Sequence, residues 1–91
     1  MENNLKAIYR ILKESERLSM ETPIDSEDGI ETKDLYGSVS KYFYVEPIRF
    51  SRLIFMLMQA DILDEKLCIT LKGLEYLYKD PLMLIFDNPD E

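Results

Sequence analysis

Hydrophobic positions recur at helical spacing in four stretches of this chain. Leu5, Ile8, Tyr9 and Leu12 step by three and four, Ile11 widens the stripe, and Lys6, Arg10, Lys13 and Arg17 fall on the other side. This spacing predicts an amphipathic helix that begins at Asn3 or Asn4, both good caps, and runs to about Leu18. From Ser19 to Glu31 the apolar period stops, and Pro23 and Gly29 stand among Asp, Glu, Ser and Thr. That composition predicts a loop, with Ile24 and Ile30 as its anchors to a core. Leu35, Val39, Tyr42 and Phe43 then predict a second helix from 33 to about 43, with Thr32 as its cap and Gly37 weakening it slightly. Tyr44 and Val45 interrupt the period, Glu46 stands as an approximate cap, and Pro47 takes the first position of a third helix, where its missing N–H costs nothing.

The third helix, Pro47 to Ala60, is apolar almost all round yet carries Arg49, Ser51 and Arg52 on its leading turns. At about 100° per residue, Arg49, Arg52, Met56 and Gln59 share one side, flanked by Ser51 and Phe55. Ile48, Phe50, Leu53, Ile54, Leu57 and Met58 are left to form the buried side. The apolar run from Leu53 to Met58 is too long to face one core. Either this helix is central, or Phe55, Met56 or both meet another subunit or partner.

Ile62-Leu63 and Leu67-Cys68-Ile69 are short apolar runs either side of Asp64-Glu65-Lys66, the pattern of a very short β-hairpin with an acidic tip. Thr70 caps a last helix, Leu71 to Lys79, with Leu74, Leu77 and Tyr78 on one face and Pro81 as its stop. The run Leu82 to Phe86 is too apolar to dangle, so Leu82, Leu84 and Phe86 are expected to pack on the domain or on a twin subunit, ahead of a frayed acidic end from Asp87 to Glu91. Residues 1–81 thus make one domain and 82–91 a tail, within the single core that 91 residues can build.

Charge refines this layout. Eighteen carboxylates against eleven Lys and Arg leave a net charge of −7, but residues 20–34 alone carry −5 and residues 81–91 carry −3, while residues 35–60 carry +2. The acidity is therefore concentrated in a connecting segment and a tail, and one face can be cationic. The cations of the first helix are read as an ordinary solvated face that could also lie on phosphates or on an acidic partner. Asp25-Ser26-Glu27-Asp28-Gly29 departs from a calcium loop, because its glycine is one position early and the twelfth position is Tyr36. The single cysteine, Cys68, is expected as a buried core thiol. A basic-then-apolar leader and a long apolar run are both lacking, so no signal peptide or membrane span is expected and the compartment is taken as cytoplasmic. With no His, only three Gly and no nucleophile or metal-ligand spacing, the pattern points away from an enzyme, a metal or a cofactor.

The string Ala60-Asp-Ile-Leu-Asp-Glu-Lys-Leu-Cys-Ile-Thr-Leu-Lys-Gly-Leu-Glu-Tyr-Leu77 resembles the passage of small bacterial and phage winged-helix domains in which a recognition helix leads through a wing to a Thr-x-Lys-Gly-x-x-Tyr-Leu helix. The YjcQ-type family is similar, and MarR-like and PadR-like regulators more distantly so. The resemblance covers Leu5 to Lys79 in layout and Ile69 to Leu77 in residues. It implies a mainly α winged helix-turn-helix with a small β-hairpin: helix 1, acidic loop, helix 2, turn, helix 3, short wing, helix 4. It also implies a DNA-binding regulator, possible as a homodimer, with Arg49 and Arg52 near base edges or phosphates, Ser51 as a supporting donor, and Lys33, Lys41 and Tyr44 on the backbone. The composition leaves a second class open, a non-catalytic protein-binding module whose acidic loop meets a basic partner or imitates DNA.

Overall fold

A computed structural model describes residues 2–21 and 29–87 of the chain, with side chains for 4–21 and 29–86. Among the described residues five helices follow one another: α1 Glu2–Glu21, α2 Thr32–Ser40, α3 Pro47–Gln59, α4 Leu71–Lys79 and α5 Pro81–Leu84, the last running into a 3-10 turn, Ile85–Asp87. The central element is α1, which packs against α2, α4 and α5. Ala7, Ile8, Ile11 and Leu12 of α1 meet Leu35 and Val39 of α2, Phe50, Leu53, Ile54 and Leu57 of α3, Leu77 of α4 and Met83 of α5 in one core cluster. Two caps follow from side-chain chemistry: Thr70 accepts from the Gly73 amide at 3.0 Å, and Asp80 accepts from the Leu82 amide at 2.8 Å.

The expected β-hairpin wing is not there, and with it the winged architecture is corrected. Among the described residues there is no strand, only an isolated antiparallel bridge, Leu63 to Ile69. Asp64 is the physical reason. Its carboxylate accepts from the Lys66 amide at 2.8 Å within the turn and from the Cys68 amide at 3.0 Å, the donor that a ladder would direct to the Asp64 carbonyl. The two following carbonyls are also committed elsewhere: that of Lys66 accepts from the Ile30 amide at 3.0 Å and that of Leu67 from the Ser15 hydroxyl at 2.6 Å. Leu67 reaches this position with φ +64°, a left-handed backbone. Residues 64–67 therefore form a turn captured by the helical body.

Smaller expectations shift as well. The second helix stops at Ser40, and 41–43 continue only as turn and bend. Cys68 is half-buried. Ile48 and Met58, expected in the core, are exposed. The apolar end of the chain extends the helical body: Met83 is fully buried and the Phe86 ring stands 5.5 Å from that of Tyr9, while Leu82 and Leu84 remain exposed. Ile30 is buried as an anchor, whereas Ile24, the acidic residues Asp25, Glu27 and Asp28, and residues 88–91 lie outside the described residues.

Candidate functional site

The start of α3 is set by Tyr36 on α2. Its hydroxyl donates to the Val45 carbonyl at 2.6 Å, and its ring meets Phe50 edge-on with centroids 4.9 Å apart. This fixes the turn 41–46 against the body and leaves Pro47 at the first helical position. With Phe50, Leu53, Ile54 and Leu57 buried, α3 has one inward face. The opposite face carries Ile48, Ser51, Arg52, Phe55 and Met56, all exposed.

Arg49 and Arg52 open onto different depressions. Arg49 is half-buried and reaches α1, where its Nε donates to Asn4 Oδ1 at 2.8 Å and a terminal nitrogen donates to the same oxygen. It lines a cleft of about 230 Å³ with Lys6, Ala7, Phe43, Tyr44 and Val45. Arg52 instead borders a shallow depression of about 450 Å³ with Pro47, Ile48, Ser51 and Phe55. No ion pair or hydrogen bond engages its guanidinium among the described residues.

The remaining candidates are dispersed. Lys33 stands on the first turn of α2 with its Nζ 3.5 Å from Glu31. Lys41 is exposed at the end of α2, and neither lysine lines either depression. The structure thus joins Tyr44 with Arg49, and Ser51 with Arg52 and Phe55, as two sets.

Of the α1 cations, Lys6 and Arg17 are exposed as the sequence suggested, whereas Arg10 and Lys13 are half-buried, and all four have partners. Lys6 lies 5.2 Å from the Phe43 ring centroid, Arg10 3.8 Å from that of Tyr42, and Lys13 5.1 Å from that of Tyr78. Arg17 bonds Glu14 and Glu21 and reaches the Ser38 hydroxyl. The hydrogen bond it donates to Glu14 is the main reason that Arg17 holds its proton above the usual guanidinium range. Sequence reasoning missed Lys6 as a cleft residue and Ile48 as an exposed one. The alternation of α1 cations with the Tyr42-Phe43-Tyr44 triplet was the available signal, but it becomes visible only when the two segments are brought together.

Among the described residues no cluster of His, Cys, Asp or Glu has the geometry to hold a metal, and no helix is long and apolar enough to cross a membrane. No family model matches the chain, and neither a curated protein nor a solved structure is significantly similar to it.

Proposed function

We propose that the chain is a non-catalytic protein-interaction module whose working surface is the outer face of α3. The observation that carries this reading is the exposure of Ile48 at 64% and Phe55 at 63%, beside Met56 and around an unpaired Arg52. Fully burying such side chains yields roughly 1.5–3 kcal/mol each before the costs of association. An aromatic anchor beside an arginine is also the composition that dominates interface energetics. A helix that reads base edges needs donors along its outer side, and here Ser51, Arg52 and Gln59 stand among the exposed apolar Ile48, Phe55 and Met56, while Arg49 is directed toward Asn4 and the cleft on α1. The matching partner is a protein surface with a carboxylate at its centre and apolar side chains around it.

A photo-crosslinking residue at position 51, used in the native host, identifies the partner. With that partner purified, Phe55→Asp and Arg52→Glu are each expected to weaken binding at least about tenfold, and a carboxylate-to-lysine exchange on the partner to restore Arg52→Glu. Equal binding by both variants would remove the outer face from the interaction. Tight duplex DNA binding that falls steeply with salt and is lost in Arg52→Ala would return this face to DNA recognition through Ser51 and Arg52.

A further inference from the structure

We infer that the cleft between α1 and residues 43–45 is a phosphate seat for single-stranded nucleic acid, with Tyr44 as the platform on which one base stacks. This surface is separate from the outer face of α3 and does not depend on the reading given for it. Its lining contains two cations, Lys6 and Arg49, and no carboxylate. Neither cation has an ion pair among the described residues. Asn4 orients the Arg49 guanidinium through a neutral amide oxygen, which fixes its direction without cancelling its charge. At about 230 Å³ the cleft is smaller than the roughly 300–1,000 Å³ of pockets that enclose a whole small molecule. A cleft of that size admits a single phosphate group, and the remainder of a polymer would lie outside it.

The aromatic residues give the direction. Tyr44 is 76% exposed, and its ring stacks on no other ring or cation among the described residues. Beside it, Lys6 lies over Phe43, and Arg10 lies over the ring of Tyr42, a residue that is still 57% exposed. Cations interleaved with aromatic faces are the composition of surfaces that bind single strands, where phosphates meet the charges and unpaired bases meet the rings. A duplex keeps its bases stacked on one another and offers Tyr44 nothing to cover. The net charge of −7 opposes any polyanion at long range, but charges beyond about 10 Å are largely screened at 0.1 M salt; within that range the exposed Glu46, two residues from Tyr44, lies outside the lining and is outnumbered by the two cations of the cleft.

The test is fluorescence anisotropy of a labelled twelve-nucleotide oligothymidylate, with a duplex of equal length as the comparison. Two phosphate contacts on a single strand predict a log–log salt slope of about −1.4, or about a sevenfold loss of affinity for a fourfold rise in salt. Lys6→Gln is expected to halve that slope. Tyr44→Ala is expected to cost about fivefold or more in affinity with the slope unchanged, since stacking carries no counterion release. Both side chains are exposed, so the thermal midpoints of these variants serve as the folding control. Failure of the oligonucleotide to bind at low salt overturns the proposal. So does a duplex that binds as tightly as the single strand with Tyr44→Ala indifferent, and neither result bears on the outer face of α3.

Discussion

Ser15 is fully buried, and its hydroxyl donates to the Leu67 carbonyl across 52 positions of sequence at 2.6 Å. Ser15→Ala leaves that carbonyl without its partner inside the body, and is expected to lower the unfolding free energy by about 1–3 kcal/mol, read as a drop in the urea midpoint at unchanged m-value. Nothing in the sequence singles out Ser15, because a serine between Glu14 and Glu16 on a helix reads as surface. Glu14 is a similar case. It is 4% exposed and paired with Arg10 at 3.7 Å and Arg17 at 2.9 Å, whereas the cationic stripe alone suggested solvated charge. At this scale the pattern located Ile8, Leu12, Leu35, Val39, Leu53 and Leu77 in the core, but Tyr42, Ile48, Met58 and Tyr78, placed on the same inward faces, are exposed. It failed where a polar side chain is buried by a segment distant in sequence, since periodicity reports which side a residue faces and not what covers it.

Helix α4 shows what an element requires beyond its period. Its bounds, its Thr70 cap and its buried Leu77 all follow from the local sequence. The need for Gly73 does not. A Cβ there would stand 2.4 Å from the Ile62 carbonyl oxygen and 2.6 Å from Ile69 Cγ1, so α4 packs directly on the backbone leading into the Leu63–Ile69 bridge. Gly73→Ala is expected to destabilise the fold by about 1–3 kcal/mol despite the better helix propensity of Ala, and differential scanning calorimetry should show the fall in midpoint. The hairpin was misread for a related reason. Alternation and an acidic tip predict paired strands, but the Asp64 carboxylate and the docking of Ile30 and Ser15 commit the backbone groups first. Turn chemistry of that kind is encoded in the sequence, although its outcome depends on which distant donors arrive. Helix α3 was legible as an element, but its exposed Ile48 was not, because a uniformly apolar run carries no mark of which side is inward.

Across the whole molecule, ionisation links stability to pH at the alkaline end. Burial pushes both Tyr76 and Tyr78 above their ordinary value of 10.0, with Asp80 adding to the first and the Glu16 hydrogen bond to the second. The fold therefore favours the protonated phenols more than the unfolded chain does. Their contribution is complete below about pH 10 and is lost as pH rises through the folded-state values. Urea midpoints measured from about pH 8 to 11 are expected to fall above pH 10, and Tyr76→Phe to flatten that fall. The candidate surfaces were only partly legible at this scale. Arg49, Ser51, Arg52, Tyr44 and Phe55 were all singled out from the sequence, yet their division into two sets depends on Asn4 reaching Arg49 across 45 positions. That division has a thermodynamic consequence. A single helical turn supplies Arg49 to the cleft and Ile48, Ser51 and Arg52 to the outer depression, so any shift of that turn is felt on both sides. Whatever coupling free energy occupancy of one side imposes on the other must be returned in equal measure, and the sign of that reciprocity decides whether two ligands of α3 assist or exclude each other.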